Sequence, residues 1–209
     1  MKINVLFQGD SITDCGRGQC SGGAGYENGG LGPGYPMLIA SRLFCSKPET
    51  EWHITNRGIS GNRIVDLYAR WRCDCINLEP DILTILIGVN DTWHEDHQNG
   101  VDVPRYERFY RELVTWTREK LPNVKIVLME PFLCPHREPI IGMVAEVDQR
   151  RAVVRKIANE MNTIFIPLQD IFNEAFKHAP MNHWSADGVH PTPAGHQLIA
   201  DAWLKALGY

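Results

Sequence analysis

No stretch of the sequence approaches the ~20 consecutive apolar residues that a membrane-spanning helix needs, so no membrane partner is expected. Basic residues are not in excess: 21 Lys and Arg stand against 25 Asp and Glu, a formal net charge of −4. A nucleic-acid reader carries a concentrated basic face, so no nucleic-acid partner is expected either. The six cysteines (Cys15, Cys20, Cys45, Cys73, Cys75 and Cys134) include no Cys-x-x-Cys pair. They read as free thiols of a reducing compartment. Residues 1–8 are too short and too polar for the apolar core of a signal peptide, and a cytoplasmic location is the expectation. Glycine is plentiful, yet neither Gly-Lys-Ser/Thr nor Gly-x-Gly-x-x-Gly occurs, which argues against a nucleotide phosphate cradle. The absence of Gly-x-Ser-x-Gly counts against the nucleophile elbow of the common α/β-hydrolases.

What is present is an ordinary globular composition, 44% hydrophobic and 22% charged over 209 residues, enough to bury a core without disulfides or metal. One domain spanning 1–209 is expected. Short β-rich apolar runs at 3–7, 52–56, 82–87, 124–129 and 163–166 predict five strands. Helical spacing lies between them. Residues 36–44 carry Met37, Ala40 and Phe44 on one face, and residues 63–75 carry Ile64, Leu67, Tyr68 and Trp71. Tyr106, Phe109, Tyr110, Leu113 and Trp116 follow Pro104, a favoured residue near a helix start. Met143, Val147, Val154, Ile157 and Met161 mark another helix, 168–176 a short one, and 193–207 a last one with Thr192 as its N-cap. Strands alternating with helices imply a parallel sheet covered on both faces. Such sheets bind ligands beyond the carboxyl ends of their strands. Ser11, Gly61 and Asn90 follow the first, second and third strands.

Ser11 lies in Gly9-Asp10-Ser11-Ile12. A serine hydroxyl becomes a nucleophile when a base takes its proton and donors stabilise the oxyanion that develops. Asp187-Gly188-Val189-His190-Pro191 precedes the last helix, and a carboxylate three residues before an imidazole can fix its tautomer and leave the other nitrogen as base. In Gly58-Ile59-Ser60-Gly61-Asn62 a glycine can bring its N–H close to a ligand, and in Gly88-Val89-Asn90-Asp91 the asparagine amide can donate to an oxyanion. Taken singly, each fragment is equally well a capped helix or a turn.

Together and in this order, the four blocks resemble the SGNH hydrolases, the GDSL-type esterases and lipases, and the resemblance runs from about residue 3 to the last helix. It implies a flavodoxin-like three-layer α/β/α sandwich with a five-stranded parallel sheet. Carried onto this sequence, it makes Ser11 the nucleophile, His190 the base and Asp187 the residue orienting it. The oxyanion hole would be the backbone N–H groups of Ser11 and Gly61 with the Asn90 side chain. Longer stretches are similar to intracellular bacterial acetylxylan esterases: Gly9-Asp10-Ser11-Ile12-Thr13-Asp14-Cys15-Gly16-Arg17, Arg57-Gly58-Ile59-Ser60-Gly61-Asn62, Asp66-Leu67, Ala69-Arg70-Trp71 and Gly88-Val89-Asn90-Asp91-Thr92-Trp93. Residues 181–186 match them little. The likeness implies a serine esterase that removes acetyl groups from xylo-oligosaccharides, without cofactor or metal, as a homo-oligomer. Alternatives are another acyl hydrolase of the same fold (a lysophospholipase or thioesterase) and a sugar-binding protein without turnover.

The remaining signals are weaker. His94-Glu95-Asp96-His97 is one residue short of His-Glu-x-x-His, so its imidazoles would not share the helical face that a zinc motif needs, and a polar loop beside Asn90 is expected. Cys73 and Cys75 lack zinc-ligand spacing. The glycine-rich loop 16–34 reads as a wall near Ser11, with Tyr26 and Tyr35 as candidate lining residues. Trp93 and Trp184, close in sequence to Asn90 and Asp187, are candidates for packing on a sugar ring.

Overall fold

The computed structural model describes residues 2–17 and 30–209. Five strands, β1 (Lys2–Gly9), β2 (Glu51–Asn56), β3 (Ile82–Leu86), β4 (Lys125–Met129) and β5 (Ile164–Ile166), form one sheet in the order β2-β1-β3-β4-β5. Every pairing is parallel. This is the flavodoxin-like order, whose switch point lies between β1 and β3. The longer helices are α2 (Tyr35–Ser46), α3 (Ile64–Asp74), α5 (Val103–Lys120), α6 (Ile140–Glu160), α7 (Leu168–Ala175) and α9 (Pro193–Leu207). One-turn helices α1 (Ser11–Asp14), α4 (Val89–Trp93) and α8 (Met181–Trp184) complete the described residues, with 3₁₀ turns at Ile76–Leu78 and His94–His97.

The two-residue period of the strands divides the core into two clusters. Val5, Phe7, Leu86, Val127 and Met129 face Tyr35, Ile39 and Leu43 of α2, Phe172 of α7 and Ile199 and Trp203 of α9. Leu6, Leu83, Ile85, Ile126 and Leu128 face Leu67 and Trp71 of α3, Tyr110 and Leu113 of α5, and Val154 and Ile157 of α6. Helix α6 serves both clusters, because its first half (Ile140, Met143, Val147) packs with the former group. The sheet is thus apolar on both sides, as its near-continuous hydrophobic strands require.

The periodicity located the long helices but misjudged two faces. The buried stripe of α2 is Tyr35, Pro36, Ile39, Ala40 and Leu43, and Phe44 stands 40% exposed. Tyr68 of α3 is exposed as well, resting edge-on against Phe109 at 5.2 Å between ring centres. Both rings sit beside the apolar stripe rather than within it, and aromatic bulk alone does not decide burial. Thr192 caps α9 as expected, its hydroxyl accepting from the Gly195 N–H at 3.3 Å. Strand β1 runs two residues further than the apolar run suggests, because Gly9 still pairs with Leu86.

A buried threonine answers a buried indole on each side of the sheet. Trp203 Nε1 donates to Thr84 Oγ1 of β3 at 2.8 Å, and Trp71 Nε1 donates to Thr117 Oγ1 of α5 at 2.9 Å. This explains the one polar residue in the third strand. Thr84→Val keeps the shape but leaves the Trp203 N–H without an acceptor, which costs about 1–3 kcal/mol. A urea denaturation midpoint lowered accordingly, with unchanged slope, is the expected result.

Candidate active site

The site begins where β1 ends. Asp10 caps α1, its Oδ1 accepting from the Ile12 N–H at 3.0 Å. Ser11 is therefore the first residue of a helical turn, where a backbone N–H has no partner within the helix. The turn sits against the strand ends because Gly9 has no side chain: a Cβ there would lie 2.3 Å from Thr13 Oγ1 and 2.4 Å from the Leu86 carbonyl. Asn56, buried at the end of β2, holds the turn from below. Its amide nitrogen donates to the carbonyls of Thr13 (2.7 Å) and Leu31 (2.8 Å), and its Oδ1 accepts from the Gly58 N–H (2.8 Å).

Asp187 and His190 come from the turn before α9. Asp187 Oδ1 accepts from the N–H groups of Val189 (2.9 Å) and His190 (2.7 Å), which closes the turn and aims the other oxygen at the ring. Oδ2 lies 2.6 Å from His190 Nδ1, and His190 Nε2 lies 2.8 Å from Ser11 Oγ. A carboxylate is acceptor-only, so the ring proton sits on Nδ1 and Nε2 is left to accept from the serine hydroxyl. Burial pushes the Asp187 carboxyl up, but the His190 side chain and the two backbone donors together hold it below the usual carboxylate range. Ser185 braces the turn, donating to the His190 carbonyl (2.9 Å) and accepting from the Gly188 N–H (3.0 Å).

The Gly61 turn hangs from the same strand end, with the Ile59 N–H on the Gly9 carbonyl (3.1 Å) and the Asn62 N–H on the Ile59 carbonyl (3.1 Å). Gly61 has φ +82°, the left-handed value that the third position of a type II turn needs, and a Cβ there would meet nothing within 4 Å. Glycine is required here by backbone conformation and not by crowding. Asp14 ties this turn to α1, its Oδ2 accepting from Ser60 Oγ (2.7 Å) and the Ser60 N–H (3.1 Å). Asn90, in α4, donates one amide hydrogen to the Asn62 carbonyl at 3.1 Å. A hydroxyl facing an imidazole acceptor, with backbone and amide donors alongside, can add to a carbonyl and hold the oxyanion formed.

Ser11, Gly61, Asn90 and His190 line one cleft of about 580 Å³ together with Ser60, Trp93, His94, His97 and Asn99. Trp93 is where the sequence suggested, 6.4 Å from the His190 ring centre. Two other candidates are not. Tyr35 is fully buried, its hydroxyl 2.8 Å from Thr13 Oγ1, so it supports α1 from the core and does not line the cleft. Trp184 lies in α8 with its Nε1 on the Ala179 carbonyl (3.3 Å) and is not among the residues lining the cleft. Tyr26 lies outside the described residues. His94–His97 forms a 3₁₀ turn, and both of its histidines line the cleft. Among the described residues no group of three or more His, Cys, Asp or Glu could hold a metal ion.

Two buried carboxyls beside the site have no signature in the order of residues. Burial pushes the Asp10 carboxyl up to about 6, against the lowering effects of the Ile12 N–H and of His190. Burial likewise pushes Asp91 up to about 7, although both its oxygens accept from the Ile64 N–H at 3.0 and 3.3 Å. Asp91 thereby joins α4 to the start of α3. A neutral histidine also lies below the site. Burial lowers His196 to about 4, its Nδ1 accepts from the Tyr35 N–H (3.2 Å), and its Nε2 faces Cys15 Sγ (3.4 Å).

Comparison with known proteins agrees with this architecture. The family model of the GDSL-like lipases and acylhydrolases matches residues 7–198. An acetylxylan esterase of Geobacillus stearothermophilus is 39% identical, the match covering 98% of this chain and 94% of that protein. A crystal structure of the acetylxylan esterase Axe2 from that organism superposes with a TM-score of 0.88 at 39% identity, over 99% of this chain and 94% of the other. A GDSL-like lipase of Parabacteroides merdae superposes with a TM-score of 0.85 at 42% identity, over 99% and 95%. Axe2 has also been solved as catalytic mutants in which a serine, an aspartate and a histidine are each replaced by alanine. The protein is a carboxylic ester hydrolase with a flavodoxin-like parallel sheet. It belongs to the GDSL-like lipase/acylhydrolase family.

The raised carboxyls have a thermodynamic signature. Asp10 and Asp91 bind protons more tightly folded than unfolded, so their contribution to stability falls as pH rises from about 4 through 6 and 7, then levels off. Asp91→Asn keeps an oxygen for the Ile64 N–H and removes the ionisation. The stability of this variant relative to the native chain should rise between pH 5 and pH 8, read from paired urea titrations. A difference independent of pH would mean that Asp91 does not titrate in this range.

Proposed function

We propose that the protein is a carbohydrate acetylesterase that acts on acetylated xylo-oligosaccharides by a Ser-His-Asp acyl-enzyme mechanism. The observation that carries this reading is the continuous series Asp187 Oδ2, His190 Nδ1, His190 Nε2, Ser11 Oγ, linked at 2.6 and 2.8 Å and opening onto a cleft shared with Gly61 and Asn90. Ser11 Oγ attacks the ester carbonyl while His190 Nε2 takes its proton. Asp187 stabilises the imidazolium so formed. The N–H groups of Ser11 and Gly61 and the free amide hydrogen of Asn90 receive the tetrahedral oxyanion. His190 then protonates the leaving alcohol, and water repeats the two steps on the acetyl-serine, releasing acetate. The catalytic mutants of Axe2 support these roles, since their aspartate and histidine are three residues apart, as Asp187 and His190 are.

A short acyl group on a sugar is supported by a relative similar over nearly the whole chain, which is an acetylxylan esterase. Trp93 gives the cleft an apolar surface on which a sugar ring can pack. On this reading residues 1–209 act as one hydrolase domain on a small acylated carbohydrate.

Acetate release from acetylated xylo-oligosaccharides, followed by proton NMR, tests the proposal. The native chain should release acetate and Ser11→Ala should not. Cleavage of p-nitrophenyl acetate without release from the sugars would retain the hydrolase and discard the carbohydrate. A separate expectation concerns Asn90→Ala: turnover should fall about 10²–10³-fold, the usual effect of losing one oxyanion donor, with KM much less affected. Undiminished turnover would remove Asn90 from the oxyanion hole.

A further inference from the structure

Part of the cleft lining has no place in the acyl-transfer chemistry. Beyond Ser11, Gly61, Asn90 and His190, the wall is Ser60, Trp93, His94, His97 and Asn99. Four of these five come from one segment following Asn90. The segment folds back on itself: the Gln98 N–H donates to the Glu95 carbonyl (2.8 Å), the Asn99 N–H to the His94 carbonyl (2.9 Å) and the Val101 N–H to the Asp91 carbonyl (2.9 Å). Gln98 takes a left-handed φ of 53° to make the return.

The end of this loop is held by a cation from another element. Arg63 Nη1 donates both to the Asn99 carbonyl (2.5 Å) and to Asn99 Oδ1 (2.7 Å). Arg63 is fixed in turn by Asp66, with Nε on Oδ2 (2.9 Å) and Nη2 on Oδ1 (3.0 Å). Guanidinium is a donor-only group, so it decides which end of the Asn99 amide faces it. The oxygen points to Arg63, and the NH₂ group is left as a double donor on an exposed side chain of the cleft wall, with no acceptor among the described residues. Arg63 follows the Gly61-Asn62 turn directly, so one anchor serves both the oxyanion side of the cleft and this loop.

We propose that Asn99, oriented by Arg63, is a specificity determinant for the alcohol part of the substrate. Its amide donates to hydroxyl or ring oxygens of a sugar whose apolar face rests on Trp93, while His94 and His97 supply further hydrogen-bonding edges. The ligand class is a polyhydroxylated, uncharged alcohol, and an aryl ester offers Asn99 no sugar hydroxyl or ring oxygen. This inference rests on the carbohydrate reading of the same site.

Asn99→Asp is the discriminating variant. A carboxylate at this position keeps the pairing with Arg63, and with it the loop, but has no hydrogen to donate. The ratio of kcat/KM for acetylated xylo-oligosaccharide to kcat/KM for p-nitrophenyl acetate should fall about tenfold, the effect of one lost hydrogen bond of about 1.4 kcal/mol. Unacetylated xylo-oligosaccharide should inhibit p-nitrophenyl acetate hydrolysis by the native chain, and the inhibition constant should weaken by a similar factor in the variant. Equal losses on both substrates, or an unchanged ratio, would overturn the role of Asn99 while native turnover of the sugar acetate leaves the carbohydrate reading standing. Native protein that neither turns over the sugar acetate nor responds to the free oligosaccharide would overturn both.

Discussion

Contact between a one-turn helix and the ends of two strands is the constraint on which the site depends. Helix α1 reaches β1 and β3 only because Gly9 carries no side chain between Thr13 and Leu86. Four residues of helix have little stability of their own, since nucleation costs more than so few bonds return. Tertiary partners supply what the turn lacks: Asp10 at its start, Asn56 on the Thr13 carbonyl, Tyr35 on the Thr13 hydroxyl, and Asp14 joined to Ser60. The same partners connect it to the turn bearing Gly61. The position of Ser11 is thus set by polar pairings, several of them buried, where loss of one partner leaves another unsatisfied.

Charge follows the same layout. Asp10 and Asp91 are buried on either side of the switch point, each held by a backbone N–H and each raised by the loss of water. Asp187, by contrast, keeps partial access to solvent and three donors, and it stays ionised. An ionised Asp187 can hold an imidazolium at His190. Carboxyls of one residue type thereby differ in proton affinity according to their burial and to the donors and charges each one faces.

Much of this was legible from the residues. Buried parallel strands read as apolar runs, so 3–7, 52–56 and 82–87 fell within or beside the observed strands. The four chemical blocks lay at strand ends or before the last helix, and the fold brings their residues to one cleft. The one-turn helices were not legible, because four or five residues are too few to show a 3.6-residue period. Asn56, Asp91 and Arg63 were overlooked for a different reason. Polar residues at or near the ends of strands and helices resemble solvated surface until the tertiary contact that buries or pairs them is known. Tyr35 is the converse case: it follows the glycine-rich loop in sequence, yet its ring packs into the core beneath α1.

The short fifth strand has a consequence for the molecule as a whole. β5 contributes only Ile164–Ile166 at one margin of the sheet, with α6 packed beside it. An exposed strand margin invites another chain to extend the ladder, and brevity is one way in which natural sheets discourage it. Three residues of unpaired backbone offer too few bonds to template a foreign strand. Self-association of this protein would therefore have to use side-chain surfaces and not continuation of the sheet across β5.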